Sequence, residues 1–493
     1  MTLAIKRRFS NFQIAVIIVA VILMFGLPAV PPPAGLSSAG FQVIGILIGA
    51  LALWLFLAVD WPSMLVLFAL MLVPVVTPGQ VISGSLGNST VFFLILCSML
   101  SASLQKTGVT HRLALWFVTS KISRKSPWLA IGMIYIAIFI LASFLSTTAT
   151  MLVFIPIMTA IFETLGYEKS AQDKFPALMM TSIVVVSQIA QSTSPISHSM
   201  TLIGISTYSN YMPNDAIGFV QYIAICLPIG LVSLVFWYLL SKFVFRPDVS
   251  RFAKLDLEQL KGEHKPMSKA EKISGAIYLV TVLFWILPGV AEYIFPASIA
   301  GFFAAIDQDF VPMIAIVLLH LIQVDGKPVM DYKDASKAAP WNTALFMGAI
   351  LMVSSVLSNS ELGITEWMAS VTSPLFGNMS PLIFICVIAI VSTIATNFIS
   401  NAINIAIFFA VAMPLLLTSF AGSINPQLVA ILITATSNYS FATPTSTAPV
   451  AFIMDSGWVS GKQLFVWGMA IGLVGAVLSC VIGIPLGNLV LGG

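Results

Sequence analysis

Apolar residues run along this chain in long blocks joined by short polar or charged connections. Many blocks reach the roughly 20 residues that carry a helix across a bilayer. Read against their breakers, they predict eleven crossings, at 12–30, 41–59, 63–77, 90–105, 175–206, 217–243, 273–290, 308–323, 343–358, 427–454 and 462–490. Two further stretches, 127–163 and 381–419, are each two apolar arms joined by a short polar tip, and are read as re-entrant hairpins. The expected fold class is an all-α polytopic membrane protein.

Composition agrees. Of 493 residues, 58% are hydrophobic and 8% charged, against roughly 25% charged in soluble domains, and the mean hydropathy is +1.01. A soluble enzyme, a nucleic-acid binder and a disordered chain are excluded. Cys97, Cys226, Cys386 and Cys480 all lie inside apolar runs with no metal-binding spacing, so neither a disulfide scaffold nor a zinc site is expected. The basic first twelve residues precede a helix without a small-residue cleavage site, and the segment is read as a retained first helix. No Walker A, GxSxG or HExxH pattern occurs. With no ATPase domain and no cofactor expected, energy must come from an ion gradient or from exchange.

The 22 Lys and Arg residues fall into six groups, at 6–8, 106–125, 169–174, 242–272, 327–337 and 462. If both hairpins enter and leave on one side, all six face the cytoplasm, as the positive-inside rule requires. The outer loops then hold only acids: Asp215, Glu292, Asp307, Asp309, Glu361 and Glu366. The N-terminus is expected inside and the C-terminus outside.

The chain also repeats itself. Asn88 matches Asn342, Phe92 matches Phe346, Ser126-Pro127 matches Ser380-Pro381, and Ser146 matches Ser400, each pair 254 residues apart. Five crossings separate matching points, so the second copy runs upside down, the arrangement that places a transporter site at the repeat interface. The expected organisation is a tail and first helix (1–40), repeat 1 (41–243), a cytoplasmic linker (244–272) and repeat 2 (273–493). Segments 111–120 and 361–371 are read as matching helices along the membrane surface.

Four polar breaks interrupt the apolar sequence. Two are the hairpin tips, Ser146-Thr147-Thr148 and Ser400-Asn401-Ala402. Two are Pro-containing interruptions of the 175–206 and 427–454 crossings, at Ser192–Ser199 and at Ser437–Thr447. Proline frees carbonyls in mid-membrane, and such backbone survives only when buried in protein or lining a wet cavity. Freed carbonyls and hydroxyls suit a small hard cation, while the helix halves that begin after each break offer N–H groups to an anion. His198 is an ionisable group at membrane depth beside the first break. His320 reads as interfacial, and Asp60, Asp307 and Asp309 read as helix caps.

At these residues the chain resembles the divalent anion/sodium symporter family of dicarboxylate, citrate and sulfate carriers. That family carries a Ser-Asn-Thr motif at each hairpin tip and a Thr-Pro break in each of two discontinuous helices. Here Thr147 stands for the first motif's Asn, Ala402 for the second motif's Thr, and the breaks carry Ser194-Pro195 and Thr443-Pro444. The resemblance implies a homodimer with a scaffold and a moving transport unit, working by an elevator motion in a bacterial inner membrane. It implies Na⁺ and a di- or tricarboxylate held between the tips. On this reading Ser146, Thr147, Thr148, His198, Ser400, Asn401 and Thr443 contact the anion. Oxygens at Ser146, Thr148, Ser194, Ser400, Asn401 and Thr443 hold Na⁺. The alternatives are a Na⁺-independent exchanger of the same fold and, further away, a channel or a membrane enzyme.

Overall fold

Two long helices come first, α1 (Asn11–Gly26) and α2 (Ser38–Phe56), then two short ones, α3 (Trp61–Met71) and α4 (Pro78–Gly84). They are seen in a computed structural model that describes residues 9–170, 173–196, 198–255, 266–306 and 310–492. Next come α5 (Ser89–Thr107), α6 (Val109–Val118) and the antiparallel pair α7 (Pro127–Phe144) and α8 (Thr147–Thr164). An interrupted helix follows, α9 (Lys174–Thr193) and α10 (Ser199–Tyr211), then α11 (Phe219–Leu239).

After the linker, α12 (Lys269–Ile294), α13 (Ala297–Ala304) and α14 (Phe310–Leu321) lead to a two-stranded ribbon and α15 (Tyr332–Lys337). The order of elements then recurs: α16 (Trp341–Leu357), α17 (Ile364–Phe376), α18 (Pro381–Thr396) and α19 (Asn401–Leu417). A second interrupted helix, α20 (Pro426–Ser437) and α21 (Ala448–Asp455), precedes α22 (Gly461–Val481) and α23 (Gly483–Leu491).

The matched residues fall at helix starts. Asn88 caps α5, and Asn342 is the second residue of α16. Ser126 and Ser380 cap α7 and α18, each with Pro in the first turn, where its missing N–H costs nothing. Ser146 and Ser400 cap α8 and α19. A further pair was not read from the sequence: Gly108 (φ 93°) and Gly363 (φ 69°) each take the left-handed turn that opens α6 and α17. α17 then meets α18 at 99°, so it lies across the direction of the spans.

Among the described residues, nine helices are long and apolar enough to cross a membrane, or ten counting the bent pair α17 and α18 as one. Eleven crossings were expected, and three of those blocks form shorter helices. The 63–77 and 308–323 blocks form helices of only 11 and 12 residues. The 427–454 block divides into helices of 12 and 8 residues around its break. α7 and α8 have 18 residues each, long enough to count among the nine.

The basic groups gather. Lys106 Nζ meets Asp334 Oδ2 at 2.6 Å, and Arg112 Nε meets Glu271 Oε1 at 2.8 Å, which draws the 106–125, 242–272 and 327–337 groups to one end. Asp60 caps α3 by accepting the Trp61 N–H at 2.7 Å. Asp307, Asp309, Ser197, residues 6–8 and the linker's 256–265 lie outside the described residues.

Candidate functional site

The two helix interruptions differ in length. The first spans 194–198, where the Ser194 hydroxyl accepts the Ile196 N–H at 3.1 Å. The second spans 438–447, ten residues of which Asn438–Ala442 are buried. Unpaired backbone there would be costly, and Asn397, just past α18, supplies the partners. Its Oδ1 accepts the N–H groups of Phe441 and Ala442, both at 2.8 Å. Its Nδ2 donates to the carbonyls of Thr393 at 2.7 Å and Tyr439 at 2.9 Å. Thr443 donates to the Asn397 carbonyl and pairs with Thr445 Oγ1 at 2.9 Å.

Tips and breaks converge on one cavity of about 710 Å³. Ser146, Thr147 and Thr148 enter from the first tip, Ser400 and Asn401 from the second, His198 and Ser199 from the first break, and Thr445, Ser446 and Thr447 from the second. The opposite wall is Ser98, Ser101 and Gln105 of α5 with Asn342 and Thr343 of α16. The first residues of α8, α10, α19 and α21 all line it, so four helix N-termini open on the same space. Each offers unpaired backbone N–H groups and a partial positive charge.

Among the described residues, no Asp, Glu, Lys or Arg lines this cavity, and His198 is the one ionisable side chain on it. Two buried nitrogens there have no hydrogen-bond partner, His198 Nε2 and Asn401 Nδ2, one from each repeat. Asn401 Oδ1 is already engaged, accepting from Thr396 Oγ1 at 3.1 Å. The Ser400 hydroxyl makes no capping bond, whereas Ser146 Oγ accepts the Ala149 N–H at 3.2 Å. Among the described residues no group of three or more His, Cys, Asp or Glu could hold a metal ion. A cation here would rest on hydroxyl, carboxamide and backbone oxygens.

The structure thus brings together Ser146, Thr147, Thr148, His198, Ser400 and Asn401. Thr443 and Ser194 do not line the cavity. The Ser194 hydroxyl is turned onto backbone of its own break, and the Thr443 hydroxyl onto the Asn397 carbonyl at the end of α18. Sequence reasoning missed Gln188 and Gln191 of α9, which line the cavity and reach the second repeat. Gln188 Nε2 donates to Ser440 Oγ at 2.9 Å, and Gln191 Nε2 to Asn438 Oδ1 at 2.7 Å. Their spacing of three places both on one helix face. It also missed the α5 stripe Ser98–Ser101–Gln105, whose helical period was the available signal.

The cavity reaches Gln105 and Ala338, next to Lys106, Asp334 and Lys337, so its lining extends to the lysine-rich end.

Residues 9–492 match the family model for the sodium:sulfate symporter transmembrane region. The sodium-dependent dicarboxylate transporter SdcS of Staphylococcus aureus strain MRSA252 is 23% identical over 487 residues, 96% of this chain and 91% of that protein. SdcS of strain MW2 is 24% identical over the same span. Two solved structures share the fold. The YdaH transporter of Alcanivorax borkumensis has a TM-score of 0.57 at 10% identity, covering 98% of both chains. MtrF of Neisseria gonorrhoeae has a TM-score of 0.53 at 15% identity, covering 96% of this chain and 95% of that one.

Proposed function

The chain belongs to the sodium:sulfate symporter family, and from that premise we propose that it is a secondary transporter carrying a small dicarboxylate with Na⁺. The observation that carries this reading is the convergence of two polar tips and four helix N-termini on one cavity that no charged side chain lines among the described residues. The N–H groups, with His198 Nε2 and Asn401 Nδ2, would receive the anion. Oxygens at Ser146, Thr148, Ser400 and Asn401 would hold the cation, whose charge supplies what the side chains lack. Thr443 and Ser194 would act from behind, by shaping the breaks.

The 254-residue matches support an inverted repeat in which α7–α8 and α18–α19 are re-entrant hairpins, with repeats at 41–243 and 273–493. The basic groups would face the cytoplasm, the N-terminus inside and the C-terminus outside, and the structure would then be open inward. Movement of both tips and both breaks past α5 and α16 as one body would give alternating access of the elevator kind, in a homodimer.

A second reading, Na⁺-independent anion exchange, is favoured by one observation: Thr147 replaces a carboxamide, and its hydroxyl proton is already donated to Gln191 at 2.6 Å. Proteoliposome uptake of labelled succinate, citrate and sulfate, with and without an inward Na⁺ gradient, tests both. Uptake that requires Na⁺ supports symport. Uptake that requires only internal anion supports exchange. No uptake of any of the three would overturn the dicarboxylate assignment.

A further inference from the structure

Past its first residue, every residue of α9 is buried except Gln191, which meets the cavity. Both ends of its carboxamide are engaged, and they are engaged with different repeats. Thr147 Oγ1, at the first tip, donates to Gln191 Oε1 at 2.6 Å. Gln191 Nε2 donates to Oδ1 of Asn438, where the second break begins, at 2.7 Å. Asn438 Nδ2 then donates to the Thr434 carbonyl at 3.0 Å. Every donor in this chain of bonds points the same way.

That polarity is hard to reverse one member at a time. Turning the Gln191 carboxamide over would set its oxygen against Asn438 Oδ1. Turning Asn438 as well would forfeit the bond to Thr434. Aligned bonds in a low-dielectric interior also strengthen one another. A cation held by the oxygens of Ser146 and Thr148 fixes the tip residue between them, so Thr147 Oγ1 is held in place to donate to Gln191, which firms Gln191's grip on Asn438. Ordering passes from the first tip to the second break through Gln191.

We propose that Gln191 is a positioning residue that couples the two halves of the site, so that Na⁺ on the first half pre-orders the second and the cations bind cooperatively. This rests on the Na⁺-coupled reading above. It also gives Thr147 a definite role, since a hydroxyl there has one proton to donate and spends it on Gln191.

The test is the Na⁺ dependence of labelled dicarboxylate uptake by the full-length protein in proteoliposomes. Wild type is expected to give a sigmoid Na⁺ curve. In Gln191→Ala the curve becomes hyperbolic, and the Na⁺ level for half-maximal rate rises about fivefold or more, the lower end of ordinary coupling between sites. The KM for the anion at saturating Na⁺ stays close to wild type, which a merely structural lesion would not produce. Thr147→Val keeps the side chain's shape and removes only the O–H that begins the relay; it should flatten the curve in the same way, and it serves if Gln191→Ala fails to fold. Wild-type steepness in either folded variant overturns the proposal. A hyperbolic wild-type curve overturns it while leaving Na⁺ coupling in place. Wild-type uptake indifferent to Na⁺ overturns the Na⁺-coupled reading itself.

Discussion

The side-chain oxygen of Asn397 accepts the backbone N–H of Phe441 at 2.8 Å, across 44 residues of chain. With the bonds to Ala442 and Tyr439, one carboxamide replaces the helical partners that the second break gives up. Asn397→Leu would take the side-chain partner from two N–H groups and two carbonyls in a buried place. At about 1–3 kcal/mol for each orphaned group, the loss should be at least about 4 kcal/mol. Thermal unfolding in detergent should show it, with Asn397→Asp, which keeps the acceptor, less affected.

Asn401→Ala should separate function from folding. It removes the unpartnered Nδ2 in the cavity and one bond to Thr396. Uptake should fall about tenfold or more, equivalent to about 1.4 kcal/mol of lost interaction, with a melting temperature near wild type. Thr443→Val should show the opposite balance, since its hydroxyl serves the Asn397 carbonyl. It should cost about 1 kcal/mol of stability and leave the substrate KM nearly unchanged.

Two glycines admit close contacts that a methyl group would block. A Cβ on Gly204 of α10 would lie 2.0 Å from Thr434 Oγ1 of α20, and one on Gly468 of α22 would lie 2.8 Å from the Phe441 carbonyl. Gly204→Ala forces apart the two interrupted helices and should cost about 1–3 kcal/mol. Gly468→Ala presses directly on the second break. It should reduce uptake by more than its effect on melting temperature would account for.

Asp334 gives a pH signature. Its hydrogen bond to Lys106, and then that to Lys337, hold its carboxyl below the usual value. A carboxylate depressed in the folded state stabilises above its unfolded value and ceases to as pH falls through the folded one. Asp334→Asn should therefore lower the melting temperature slightly at neutral pH. The difference should vanish as pH drops below about 4, and added salt should shrink it, because the pair is exposed.

What the sequence disclosed, it disclosed through local chemistry. Ser126, Ser380, Ser146 and Ser400 could be matched because each occupies a helix N-cap position, where a polar residue stands out in apolar surroundings, and Ser146 and Ser380 also cap with their side-chain oxygens. Gly108 and Gly363 escaped notice because their offset is 255, one more than the other pairs. Gln188 and Gln191 were illegible for another reason: their partners, Ser440 and Asn438, are 252 and 247 residues away. Thr443 and Ser194 were expected in the cavity because a hydroxyl at a break is a natural ligand. Ser194 instead accepts a backbone N–H of its own break, and Thr443 donates to the Asn397 carbonyl at the end of α18. Short apolar pieces such as α3 and α14 carry the same pattern as longer helices, so helix length was not legible there.

Among the described residues, the cavity wall holds no carboxylate, ammonium or guanidinium group. On the proposed Na⁺-coupled elevator reading, such a site returning empty with its histidine uncharged would move no formal charge through the membrane field. Loaded, it would move only what its cargo carries, at about 2.3 kcal/mol per elementary charge per 100 mV. Voltage dependence would then belong to the loaded stroke, and the net charge moved per anion, corrected for the anion's own charge, would count the cations that travel with it.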